Sequence, residues 1–134
     1  MALISGWIAV AFILVTASLP LIQWLRHKRR AAPDSPQTRL HASMGMATAA
    51  LAFGHTLTAV PVLGSSRALG GGMTALVAGG LAFFVIVAHV GVGLQLRNTK
   101  LRGRKDKRRT HQITAVLIAA TVGAHVVALV RAAG

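Results

Sequence analysis

HASMGMATAALAFGH, residues 41–55, contains no charged side chain, yet an imidazole stands at each end. The stretch lies inside a longer uncharged run, Leu40–Ser66. Three further runs of the same character, Leu3–Leu25, Ala68–Leu96 and Thr110–Val130, occupy most of the remaining chain. Each reaches or exceeds the roughly 20 residues with which a helix crosses the hydrocarbon core of a bilayer. The four runs predict an all-α protein, a transmembrane four-helix bundle with helices at approximately 3–25, 40–63, 73–97 and 110–131. They form one integral membrane domain over residues 1–134. Composition agrees, because 54% of the 134 residues are hydrophobic and only 13% are charged, too few to cover a water-facing globule. The first run has no basic region ahead of it and is long for a cleaved leader, so it is expected to be retained.

The net charge of +13 would suit a nucleic-acid ligand, but 13 of the 15 Lys and Arg residues fall in two segments, Arg26–Arg39 and Arg97–Arg109. These are the loops after the first and third helices, RHKRRAAPDSPQTR and RNTKLRGRKDKRR. Lys and Arg collect in loops on the cytoplasmic side, so the bias places both loops inside and both chain termini outside. Topology accounts for the charge, and no nucleic-acid partner is implied. The second loop also offers a surface for anionic lipid headgroups or an acidic partner. Trp7 and Trp24 stand 17 residues apart, about 25 Å at the helical rise, and mark the two interfacial belts. A kink is expected at Pro20, Pro33 and Pro36 interrupt helicity in AAPDSP, and Gly70, Gly71 and Gly72 form a short outer turn.

Helix one, basic loop and helix two are followed by helix three, basic loop and helix four. The chain is therefore two helical hairpins in the same orientation, with helices two and four parallel. Those two helices share one pattern. Helix two opens TRLH and runs to His55; helix four opens RRTH and runs to His125, so each reads Arg-x-His-x13-His. Fourteen residues are two heptads, so in a left-handed bundle each pair of imidazoles projects from one helix face. Along the axis the pair spans about 21 Å. His41 then lies level with His111 near the inside, and His55 level with His125 near the outside.

A facing pair of neutral imidazoles can supply both axial ligands of a haem iron, and bundle cores commonly house such cofactors. Two pairs imply two haems. A structural zinc site usually takes four protein ligands, and the sequence has no Cys and no intramembrane Asp or Glu to complete one. The lack of Cys also removes any disulfide framework and any Cys-x-x-Cys-His attachment for covalent haem. The competing reading is that the histidines only hydrogen-bond helices together or line a polar cavity. Ionisable groups inside a membrane are nevertheless costly and usually functional.

The arrangement resembles the haem-carrying four-helix core of cytochrome b from respiratory and photosynthetic bc complexes, where two parallel helices each carry two ligand histidines at similar spacing. The resemblance implies two non-covalent haem b groups, with His41 and His111 on the inner iron and His55 and His125 on the outer iron. It implies that small residues on the other helices admit the macrocycles, and Gly79 and Gly93 are again fourteen apart. Their plainer reading is close helix packing. Helix one has Gly6 but Pro20 at the same offset, so one porphyrin face is expected to be packed differently. The resemblance covers most of the chain as architecture, but the family's further helices and quinol-site motif are absent. Small bacterial dihaem cytochromes of four helices are a second resemblance, closer in size. Together they imply electron transfer across a bacterial inner (cytoplasmic) membrane, with a quinol or a redox protein as partner, alone or as a subunit of a quinol-linked oxidoreductase.

Haem propionates need cationic or hydrogen-bonding partners at the membrane edge. Arg39 and Arg109 are placed for the inner haem, and Arg67 and Arg131 are the only basic residues available outside; interfacial snorkelling is the plainer role of all four. His89, eight residues from Arg97, is about 12 Å deep, whereas His41 and His55 are about 3 Å and 24 Å deep. It falls between the two proposed irons, and a structural hydrogen bond to a neighbouring helix is its expected role, ahead of haem tuning or proton transfer. His27, within RHKRR, is read as solvated or facing headgroups. Two other classes of function stay open: a non-redox structural or assembly subunit whose histidines bridge helices, and a His-lined metal transporter, the latter weakened by the lack of intramembrane carboxylates.

Overall fold

The computed structural model describes residues 2–65 and 71–133. It contains four long helices, α1 (Ala2–His27), α2 (Pro36–Ala59), α3 (Gly72–Gln95) and α4 (Arg104–Ala133), with one 3-10 turn, Val60–Val62, after α2. No strand occurs among the described residues. All four helices are long and apolar enough to cross a membrane. Arg67 and Gly70 lie outside the described residues.

α1, α2 and α4 extend further into the basic loops than their uncharged runs, because local capping overrides hydropathy, whereas α3 stops at Gln95. α2 starts at Pro36, not Leu40: the Ser35 hydroxyl accepts from the Thr38 N–H at 3.3 Å, and Pro36 takes the first helical position, where an N–H has no partner to lose. Pro36 thus begins the helix that it was expected to interrupt. α4 starts at Arg104, directly after Gly103 (φ 68°), and carries Asp106 in its first turn, where a carboxylate complements the helix dipole. α1 ends at His27 because Lys28 turns left-handed (φ 51°); its N–H bonds the Trp24 carbonyl at 2.8 Å, and its ammonium lies 4.9 Å from the Trp24 ring centre. Pro20 sits within α1, which stays helical on both sides of it.

Packing is closest within the hairpins, α1 on α2 and α3 on α4, and the hairpins meet along α2 and α3. No comparable backbone contact joins α2 to α4, although side chains reach across between them. The buried set is small and mostly alanine: Ala9, Ala52, Ala75, Ala78 and Ala82, with Ile86, Ile118 and Thr48. Large apolar side chains instead face outward, Phe84 at 70% and Val116 at 69% exposure. On a water-soluble protein that surface would be a severe liability, whereas lipid is its natural solvent.

The heptad spacing sorts the interior into three layers. Gly6, His55, Gly79 and His125 form the layer nearer the chain termini, termed outer after the topology expected from the basic loops, and Pro20, His41, Gly93 and His111 the layer nearer those loops, termed inner. Seven residues from each stand Ile13, Thr48, Ile86 and Ile118. This middle layer contains the apolar core, Ala52, Ile86 and Ile118, with Ile13, Ala49, Val85 and Val122 packed on it. Its one polar member, Thr48, is buried and satisfied, donating to the Met44 carbonyl at 2.8 Å and lying 3.1 Å from the Thr16 hydroxyl.

Because the chain has no native cysteine, single-cysteine accessibility reports the orientation directly. In sealed right-side-out vesicles, a membrane-impermeant maleimide should label Gly64→Cys but spare Ala31→Cys and Asn98→Cys until the vesicles are opened. The reverse pattern would invert the topology expected from the basic loops.

Candidate functional site

All six histidines lie on the spanning helices; His27, the last residue of α1, is exposed, and the other five are half-buried, each with its Nδ1 within hydrogen-bond distance of a specific partner. His41 Nδ1 lies 3.1 Å from the Thr16 carbonyl, His111 Nδ1 3.2 Å from the His89 carbonyl, and His125 Nδ1 2.8 Å from the Ala75 carbonyl. A carbonyl can only accept, so Nδ1 carries the proton in all three and the lone pair is left on Nε2. His55 Nδ1 lies 3.1 Å from the Ser5 hydroxyl, whose oxygen is also 3.0 Å from the Ala2 carbonyl. His41, His111 and His125 therefore share one arrangement, with Nδ1–H donated and, in the neutral ring, the lone pair on Nε2; at His55 the Ser5 hydroxyl can donate or accept. A neutral ring with its lone pair on Nε2 can bind a metal there, with the other ring nitrogen anchored by the protein.

The expected pairing by level is present. The ring centres of His41 and His111 are 6.2 Å apart with planes at 89°, and those of His55 and His125 are 6.4 Å apart at 68°. A first-row metal ion binds an imidazole nitrogen at about 2.0 Å, and the ring centre lies about 1.1 Å behind that nitrogen, so two imidazoles on one ion have centres about 6 Å apart. Both pairs have this separation. Among the described residues, no group of three or more His, Cys, Asp or Glu side chains converges as a bare metal ion requires.

The small residues of the two layers meet the imidazoles. A Cβ added at Gly79 would stand 2.8 Å from His125 Nδ1, one at Gly93 would stand 3.1 Å from His111 Cε1, and one at Gly6 would stand 3.1 Å from His55 Cε1. The sequence marked these glycines as room for a macrocycle; the atoms that occupy the missing side chain's place belong to the ligand candidates themselves. Glycine lets each imidazole sit against the neighbouring helix, close enough to reach a backbone carbonyl at His111 and His125 and the Ser5 hydroxyl at His55.

His89 makes the expected hydrogen bond to a neighbouring helix and a ring contact besides. Its ring stacks on that of His111, with centres 3.8 Å apart and planes at 16°, and its Nδ1 lies 2.8 Å from the Thr114 hydroxyl. Thr114 sits one turn beyond His111 on α4, and its hydroxyl proton is directed at the Thr110 and His111 carbonyls. The partner was legible: His89 precedes Gly93 by one turn, so it lies one turn deeper on the same face. The inner site thus holds three imidazoles and the outer site two.

The cationic candidates sit at the periphery. Arg39, Arg109 and Arg131 are exposed, and their guanidinium groups engage no other described side chain; Arg67 lies outside the described residues. His27 is exposed, as expected of a residue in the basic cluster. Comparison of the chain with family models, curated proteins and solved structures finds no match.

The glycine contacts make a prediction that needs no cofactor. Gly79→Ala should destabilise the bundle, since His125 must give way or lose the Ala75 carbonyl, and Gly93→Ala should do so more mildly. Gly80→Ala and Gly91→Ala, where a Cβ meets nothing within 4 Å, should be neutral or stabilising by up to about 1 kcal/mol through helix propensity. Reversible unfolding in detergent reads the order, and equal effects at all four positions would contradict it.

Proposed function

We propose that the chain is a dihaem b-type membrane cytochrome that carries single electrons across the bilayer. His41 and His111 would hold the haem nearer the inside, His55 and His125 the one nearer the outside. One observation carries the reading: two pairs of imidazoles, both at the separation that a single bis-ligated metal requires, with Nδ1 anchored in every ring and donating to a backbone carbonyl in three of them. The chemistry that haem supplies in such a setting is reversible one-electron exchange between ferric and ferrous iron.

The protein's part is positional. The hydrogen bonds at Nδ1 fix ring orientation and raise the basicity of Nε2. Gly6, Gly79 and Gly93 let the rings lie against α1 and α3. The middle layer of Ile13, Ile86 and Ile118 separates the two levels with apolar side chains, keeping water from the path between them. Arg39 and Arg109 are the cations available to inner propionates, and Arg131 is one available outside; Arg67 completes that set by sequence position. The basic loops favour termini on the outside and an inner face that attracts anionic lipid. A bacterial inner (cytoplasmic) membrane and a quinol or redox-protein partner follow from the family resemblance.

Reduced-minus-oxidised spectra of histidine variants test the pairing. His55→Ala or His125→Ala should remove the outer haem and spare much of the inner one, and His41→Ala or His111→Ala should do the reverse. If His41→Ala and His125→Ala removed the same haem, the assignment by level would be wrong. His89→Leu should leave both haems low-spin while shifting only the inner midpoint potential, because its ring packs on His111. Loss of a haem from that variant would make His89 a ligand in place of a neighbour.

A further inference from the structure

Pro20 departs from the glycine pattern of the layers, and the departure falls at the site of His41. In an α-helix the carbonyl of each residue accepts from the N–H four residues later. The Nδ1 acceptors follow one rule in this frame. His125 uses the carbonyl of Ala75, four residues before Gly79, and His111 uses that of His89, four before Gly93. His55 reaches through Ser5 to Ala2, four before Gly6. His41 uses Thr16, four before Pro20.

On α3 the accepting carbonyl is shared, because Gly79 and Gly93 each bring an N–H of their own to it. Pro20 has none. The Thr16 carbonyl therefore has no N–H from residue 20, and a freed carbonyl inside a membrane must be satisfied by some neighbouring group. His41 Nδ1–H is that group, at 3.1 Å. The Thr16 hydroxyl is paired separately with Thr48 at 3.1 Å. The pyrrolidine ring is exposed, so core packing does not explain Pro20.

We propose that Pro20 is a positioning residue for the inner site: by withholding an N–H it reserves the Thr16 carbonyl for His41 and so fixes that ring's tautomer and plane. The hydrogen bond itself does not depend on haem; only the redox consequence rests on the cytochrome reading. An acceptor that is not shared leaves the His41 imidazole more electron-rich, and a more basic axial ligand favours the ferric state.

The test compares three full-length chains with the native one, all labelled with 15N-histidine and purified in detergent. Pro20→Ala and Pro20→Gly both restore the N–H. The third carries lactic acid at position 20, an ester that lacks the N–H, as proline does, but has no ring. Exchange of the His41 Nδ1 proton should quicken roughly tenfold in the first two, the scale of one weakened hydrogen bond, and stay native in the ester; the His125 proton should be unchanged in all. Either of the first two suffices should the other not assemble. Unchanged exchange in both, or equal loss in the ester, would overturn the proposal. In haem-loaded protein the inner midpoint potential alone should rise in Pro20→Ala, and equal movement of both potentials would also overturn it. A native chain without haem would defeat the cytochrome reading, while the exchange measurement would still decide the role of Pro20.

Discussion

An imidazole inside a bilayer has two nitrogens to satisfy and no bulk water to do it. Each of the four paired histidines solves half of this problem in one way, by pairing Nδ1 with a group on the adjacent helix of its own hairpin, a backbone carbonyl in three cases and the Ser5 hydroxyl at His55. That choice sets much else in the fold. It requires the donor helix to approach α1 or α3 closely, which places glycine opposite three of the rings. It makes the hairpin the tightly packed unit. It also aims the remaining nitrogen away from the acceptor, and the rings of α2 and α4 face each other across a gap that their backbones do not close.

The two layers are built alike but not identically. The outer pair relies on a serine relay at His55, whose hydroxyl also lies 3.2 Å from Thr58. The inner pair has His89 stacked on His111 and a Thr16 carbonyl that receives no N–H from Pro20. A hydroxyl is a weaker acceptor than an amide carbonyl, and a stacked imidazole adds a polarisable face. Two metals with the same formal ligands would therefore experience different surroundings, the condition under which electrons move preferentially in one direction. Between the layers the apolar middle is thin. A bound cofactor that contacts only the folded bundle would add to its stability.

Most of the architecture was legible because it rests on long-range periodicity. The uncharged runs gave the helices, the basic loops gave their grouping into hairpins, and two heptads between histidines gave the facing pairs. The misses were local or depended on backbone atoms. Ser35 and Pro36 start α2 by capping, which a hydropathy window does not sense. His89 was placed by depth between the proposed irons, and its stacking partner was not named; counting one turn from Gly93 sets it beside His111. Pro20 read as a broken repeat because the repeat was sought in side chains. What recurs is a carbonyl four residues earlier, and no side-chain pattern records it.

The central claim is that these four imidazoles serve two irons. Haem quantification by pyridine haemochrome on the purified chain, set against its protein concentration, tests this most directly. The account predicts two extractable b-type haems per chain, both low-spin. No haem would contradict the redox reading outright, and one haem per fully loaded chain would contradict the equivalence of the two layers on which it is built.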